Sequence, residues 1–144
     1  MGVAELLQKR KKELAEKNAT EGLAFREAFK QNENVIETPS GLLYEIITKG
    51  DGVMPVMSDT VLCHYHGTNI NNEVFDSSVQ RKKPAALPLE NVIKGWAEGV
   101  LLMTVGSKYR FVINPELGYK NREISKELGP QSTMIFEIDL LGIL

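Results

Sequence analysis

The chain has two histidines, His64 and His66, which stand two residues apart. In an extended strand both would project from one face, a spacing that suits a pair of metal ligands. No acidic or cysteine cluster adjoins them, and Cys63 would point to the opposite face, so ordinary sheet-face histidines are the better reading than a zinc site. Covalent chemistry has equally thin support. Ser77 and Ser78 lack a nucleophile-elbow context, and Cys63 sits between apolar neighbours in a strand-like run. Gly50-Asp51-Gly52, followed by Pro55, lacks the lysine and the helix that a phosphate-cradling loop needs, and reads as a turn. What remains is a surplus of aromatic and aliphatic side chains near turns and strand ends: Tyr65, Phe75, Val92, Ile93, Trp96, Tyr119 and Phe136. Asp76, directly after Phe75, sets a carboxylate beside them. Tyrosine and tryptophan pack well but need partners for their polar atoms, so this mixture suits a concave ligand site. Residue types alone leave pocket and plain core both open.

Such side chains need a scaffold, and the chain is long enough to provide one. With 144 residues, 42% hydrophobic and 25% charged, it sits near the size at which one compact core forms. From Ala4 to Lys30 the sequence is rich in Ala, Glu, Lys, Leu and Arg and has no proline, which predicts a long helix. Its apolar positions (Leu6, Leu7, Leu14, Leu23, Ala24, Phe25, Ala28 and Phe29) gather at the two ends, which predicts an exposed middle. Such a helix serves as a packing or spacer element, or as a dimerisation or client-cradling arm. Polar residues 31–34 and the turn chemistry of Thr38-Pro39-Ser40-Gly41 end it. We therefore expect an N-terminal helical arm over 1–34 and a second unit over 35–144.

In that second unit the period changes. Residues 42–47, 61–66, 109–113 and 134–140 alternate as strands do, while Val92, Ile93, Trp96 and Val100 recur at helical spacing beside Gly95 and Gly99. Strands, one short helix, then strands argue for an α+β class, with a twisted antiparallel sheet wrapped around a single α-helix. A formal net charge of -2 gives no general attraction to phosphate backbones. The short basic runs Lys9–Lys12 and Arg81–Lys83 read as solvated faces, so nucleic acid is a poor partner. No apolar stretch reaches the length of a membrane span, and the first residues lack the apolar core of a secretory signal. A soluble chain is expected. Met1-Gly2 leading straight into helix leaves an upstream segment open, and with it the compartment, periplasm or cytoplasm.

Four segments occur in one order with compatible spacing: Cys63-His64-Tyr65-His66-Gly67-Thr68, Phe75-Asp76-Ser77-Ser78, Val92-Ile93-Lys94-Gly95-Trp96-Ala97-Glu98-Gly99-Val100 and Ser132-Thr133-Met134-Ile135-Phe136-Glu137. Together, across Thr38 to Leu144, they resemble the FKBP-type peptidyl-prolyl cis-trans isomerases. Lys83-Pro84-Ala85, Gly129-Pro130 and the N-terminal helix resemble the bacterial macrophage infectivity potentiator branch, which implies a bacterial source.

The resemblance implies a proline-binding pocket with Trp96 as its floor and Tyr65, Phe75, Val92, Ile93, Tyr119 and Phe136 as walls. Asp76 and Arg81 match its polar rim, and Leu87 and Leu128 fall among the substrate-binding positions, Leu87 standing where an aromatic is common. The backbone N–H of Ile93 and the hydroxyl of Tyr119 match donors to ligand carbonyls. Lys120 departs from the family, which usually has glycine after its pocket tyrosine, and the loop from Asn121 to Leu128 is unusually charged. The implied function is cis/trans isomerisation of X-Pro bonds without metal or cofactor, on proline-containing peptides and unfolded clients, with macrolides such as rapamycin as inhibitors and a homodimer through the N-terminal helix as one assembly. A proline-segment-binding chaperone with little turnover is the alternative. A carbohydrate-binding β domain would also use exposed aromatics, but it explains neither the ordered motifs nor Asp76.

Overall fold

The computed structural model describes residues 2–144. Its first element, helix α1 (Val3–Lys30), is uninterrupted and closes at Gln31, whose N–H donates to the Ala28 carbonyl while the next N–H, of Asn32, donates to that of Phe29. From Leu14 onward it lies against the rest of the protein, with Leu14 beside Gly129 and a stripe through Ala15, Asn18, Ala19, Gly22, Phe25, Arg26 and Phe29 at three- and four-residue spacing. Gly22 marks the closest approach: a Cβ there would lie 2.5 Å from Thr133 Oγ1. Beside it Asn18 Nδ2 donates to the Pro130 carbonyl at 2.8 Å, and Arg26 Nη1 donates to Thr133 Oγ1.

The expected pattern of buried ends and an exposed middle is thus corrected. Leu6, Leu7, Leu14 and Leu23 are all exposed. The helix docks through hydrogen bonds and a missing side chain, features that an apolar periodicity cannot register.

The rest of the chain forms one antiparallel sheet. Its strands are β1 (Ile36–Glu37), β2 (Leu43–Thr48), β3 (Thr60–Thr68), β4 (Val74–Ser77), β5 (Ala85–Pro88), β6 (Lys108–Ile113) and β7 (Met134–Ile143). They lie in the order β1-β2-β6-β7-β3-β4, with β5 also on β3. One edge of β3 pairs with β7 from Val61 to Thr68. The other edge is shared: β5 takes Thr60–Cys63 and β4 takes His66–Thr68. Between those two partners runs the single turn of α2 (Ser78–Arg81), whose N-cap Ser77 accepts the Gln80 N–H.

Helix α3 (Lys94–Val100) packs on the sheet's inner face, buried along Gly95, Trp96, Gly99 and Val100. Two glycines make this contact close. A Cβ on Gly95 would stand 2.7 Å from Ile113 Cγ2, and one on Gly99 would stand 2.5 Å from Phe111 Cε1. The core between helix and sheet holds Leu42, Val61, Tyr109, Phe111, Ile113, Ile138 and Leu140, each fully buried or nearly so. On the outer face Arg110 ties three strands together through ion pairs to Glu45 at 2.6 Å and Glu137 at 2.8 Å.

The alternation at 61–66, 109–113 and 134–140 corresponds to β3, β6 and β7, and the short helix begins one residue after Ile93. The elements absent from the sequence reading are β1, β4, β5 and α2. Each has four residues or fewer, too short for either period to repeat.

Candidate active site

A cavity of about 540 Å³ opens over the N-terminal end of α3. Trp96, 4% exposed, forms its floor from the middle of that helix. Around it the rings meet edge to face. Tyr65 from β3 stands 5.8 Å from Trp96 at 88°, Phe136 from β7 stands 6.1 Å from it at 85°, and Phe75 meets Phe136 at 5.4 Å and 87°. This geometry sets the positive edge of one ring on the negative face of the next. Phe75 itself supports the wall from behind and does not line the cavity. The backbone must come close for these rings to converge, and Gly67 permits it, since a Cβ there would meet Phe136 Cε1 at 2.7 Å and Phe75 Cζ at 2.9 Å.

On one side the wall ends in a closed polar triangle. The Tyr65 hydroxyl donates to Asp76 Oδ2 at 2.9 Å and accepts from Arg81 Nη2 at 2.7 Å, while Arg81 Nη1 binds Asp76 Oδ1. The Arg81 guanidinium also lies 5.6 Å from the centre of the Tyr65 ring. Burial raises the Tyr65 hydroxyl above the usual tyrosine range, and of its two partners Arg81 opposes that shift and Asp76 adds to it. Both carboxylate oxygens of Asp76 are engaged, so it holds the wall in shape.

The opposite wall comes from two turns. Residues Leu89–Asn91 form a 3₁₀ turn leading into Val92 and Ile93, and Pro115–Leu117 form another leading into Gly118 and Tyr119. As the N-cap of α3, Ile93 presents an N–H that has no acceptor among the described residues. The Tyr119 hydroxyl also has no partner among them. Two unpaired donors therefore border an apolar floor.

Of the residues singled out in the sequence, Tyr65, Asp76, Leu87, Val92, Ile93, Trp96, Tyr119 and Phe136 line the cavity, and Arg81 braces it from outside. Leu128 does not. It is 1% exposed within the core, because its carbonyl accepts the N–H groups of Ile124 and Ser125 in a turn that folds its side chain inward. Asn91, Gly118, Lys120 and Arg122 complete the lining and were not singled out as pocket residues. They sit on turns, where no period marks which way a side chain points. His64 and His66 are each held by a serine, at 2.9 Å to Ser78 and 2.8 Å to Ser77, and no group of three metal-ligating side chains occurs among the described residues.

The family profile described as "FKBP-type peptidyl-prolyl cis-trans isomerase" matches residues 52–141. The chain belongs to this family. A second profile, the domain amino-terminal to FKBP-type isomerases, matches residues 1–46 and so reaches into β2 of the sheet. The chain is 44% identical over 126 residues to the FKBP-type 22 kDa peptidyl-prolyl cis-trans isomerase of Escherichia coli (strain K12), an alignment covering 88% of this chain and 61% of that protein. It is 39% identical over 142 residues to the outer membrane protein MIP of Legionella longbeachae, covering 96% and 61%. Its fold matches the crystal structure of FkpA from Escherichia coli with a TM-score of 0.91 at 35% identity, covering 94% of this chain and 63% of that one. The chain thus spans about three-fifths of the length of these bacterial relatives. No helix among the described residues of this FKBP-type chain is long and apolar enough to cross a membrane.

Proposed function

We propose that the protein accelerates cis/trans isomerisation of X-Pro bonds in peptides and folding chains, with the proline ring seated on Trp96 between Tyr65 and Phe136. The observation that supports this most directly is the pairing of an aromatic-walled cavity with two unpaired donors, the Ile93 N–H and the Tyr119 hydroxyl. Uncatalysed rotation takes tens to hundreds of seconds because it sacrifices amide resonance, against a barrier of about 18–20 kcal/mol. No bond is broken and no proton is transferred, so the site needs neither nucleophile nor base.

In the twisted transition state the amide loses its resonance-enhanced polarity and the proline nitrogen becomes more basic. A dry apolar enclosure disfavours the polar planar amide more than the twisted one. The two donors hold the flanking carbonyls and so fix one end of the bond while the other turns. A ten-thousand-fold acceleration requires about 5.4 kcal/mol of differential stabilisation. Desolvation and one or two oriented hydrogen bonds are of that order. Asp76 acts as a clamp on Tyr65 and Arg81. Its loss lowers turnover without abolishing binding.

The same cavity suits macrolides such as rapamycin, whose apolar ring and carbonyls would meet the same floor and donors. We also propose a homodimer through the start of α1, where Val3, Leu6 and Leu7 are exposed. Light scattering tests that. The binding-only chaperone reading is not favoured, because the relatives are named as isomerases.

The test of catalysis is the relaxation rate of a short Leu-Pro or Phe-Pro peptide with and without protein, repeated with rapamycin. Acceleration that the macrolide blocks supports the reading. No acceleration by pure, folded protein sinks it.

A further inference from the structure

We propose that the cavity rim selects proline segments carrying an acidic residue within two positions of the proline, through Lys120 and Arg122. This rests on the isomerase reading of the cavity. Three charged side chains line it: Asp76, Lys120 and Arg122. Asp76 is already neutralised by Arg81. Lys120 and Arg122, by contrast, form no ion pair and no side-chain hydrogen bond among the described residues. The rim on the Tyr119 side therefore presents two cations without an ion-pair partner beside apolar walls, while the acidic residues of the same loop, Glu123 and Glu127, are not among the lining, an arrangement that favours anionic partners.

The turn that carries both cations is tied down. Lys120 donates its N–H to the Pro115 carbonyl at 3.2 Å and accepts from the Gln131 N–H at 2.6 Å. Arg122 donates its N–H to the Tyr119 carbonyl at 3.0 Å, and its guanidinium lies 5.8 Å from the centre of the Tyr119 ring. Lys120 also occupies the left-handed backbone region, with φ 53°. Glycine or asparagine would adopt that conformation with less strain. The lysine side chain forms no hydrogen bond or ion pair among the described residues that would offset it, and backbone strain of this kind collects at ligand-binding sites.

Reach is sufficient. An extended chain advances about 3.3–3.6 Å per residue, so one or two steps from a proline held beside Tyr119 stay within the span of a lysine or arginine side chain. Interactions of this exposed kind are individually modest, and set preference more than affinity.

The experiment measures kcat/KM by magnetisation exchange on capped peptides in which Glu, Gln or Lys fills the position before Leu-Pro or the position after it. Expected is the order Glu, Gln, Lys, with roughly two- to fivefold between steps, shrinking as salt rises from about 20 to about 500 mM. Lys120→Asn and Arg122→Gln should each lower the Glu-to-Gln ratio, their combination should bring it to one, and Lys120→Glu should reverse it. Taking the ratio within each variant cancels any general loss of activity. Acceleration of Glu and Gln peptides alike by the unaltered protein overturns the selection and leaves the isomerase reading standing, as does a ratio that the double variant does not move. Acceleration of no peptide overturns both.

Discussion

Replacing Tyr65 with phenylalanine isolates one hydroxyl from everything else the ring does. The ring keeps its edge-to-face contacts with Trp96 and Phe136 and its place beneath the Arg81 guanidinium. What is lost is the donation to Asp76 Oδ2 and the acceptance from Arg81. A hydrogen bond to a buried charged group is worth about 1.5–3 kcal/mol. The Asp76 side chain is 44% exposed, however, so water screens and partly replaces the bond. We therefore assign the Tyr65–Asp76 bond about 1 kcal/mol. For a chain of this size that is about 3–4 °C in Tm, and about fivefold in kcat/KM if the bond holds the wall equally in the transition state.

The assay is a double-mutant cycle of Tyr65→Phe and Asp76→Ala, read both by urea unfolding and by peptide isomerisation. The two changes should couple by about 1 kcal/mol. Because burial raises the tyrosine's folded value, its neutral form is favoured in the fold. That contribution is full below the unfolded tyrosine value of about 10 and is lost as pH rises through the higher folded one. Tyr65→Phe should remove this alkaline limb. Additive effects within about 0.3 kcal/mol would show that hydroxyl and carboxylate do not act as a unit, and the clamp argument would fail.

Gly99→Ala should destabilise by about 1–2 kcal/mol despite the better helix propensity of alanine, because its Cβ would press on Phe111 from 2.5 Å; a higher urea midpoint would contradict the close packing of α3. The Cys63 thiol, fully buried and pushed up to about 12 by burial with a smaller contribution from the Asp139 carboxylate, should label with iodoacetamide only at the rate of global unfolding, and fast native-state labelling would contradict this. Arg110→Met should lower stability by about 1 kcal/mol or less after screening. The Arg110 hydrogen bond depresses the Glu137 carboxyl against the opposing effect of burial. Its contribution is therefore present above the unfolded glutamate value of about 4.3 and lost as pH falls through the lower folded one. The gap between wild type and Arg110→Met should be full at pH 7 and shrink below about pH 4, and urea midpoints at pH 7, 4 and 3 that keep it constant would contradict the assignment.

What the sequence made legible follows the physics of repetition. β3, β6 and β7 are each six residues or longer and alternate buried and half-buried positions over most or, in β6, the first half of their length, so a period of two shows itself. Trp96 could be placed on the inner face of α3 because Gly95 and Gly99 mark the side that approaches the sheet. Lys120 and Arg122 were visible only as departures from a family pattern, since their direction is set by a turn hydrogen-bonded to Pro115 and Gln131, neither of which a period reveals. Leu128 failed for the complementary reason. It is apolar and near the site in sequence, but the carbonyl it shares between two turn donors points its side chain into the core.

The walls of the cavity come from distant parts of the chain, and this constrains how any change in activity can be read. Tyr65 lies on β3 and Phe136 on β7, and these strands pair with Gly67 opposite Phe136 and Tyr65 opposite Ile138. The cavity therefore cannot form until the most non-local strand pairing in the sheet has closed, a step whose entropic cost makes such topologies slow to fold. A substitution in the β3–β7 ladder far from the cavity lowers activity by reducing the folded population. One at the cavity, such as Tyr65→Phe, lowers it per folded molecule as well. Ligand separates the two. A compound that binds only the closed cavity stabilises the folded state by RT ln(1 + [L]/Kd). Saturating ligand should thus restore activity-competent structure in a ladder variant, as seen in its unfolding midpoint. In a cavity variant the midpoint gain itself should shrink, because Kd has changed.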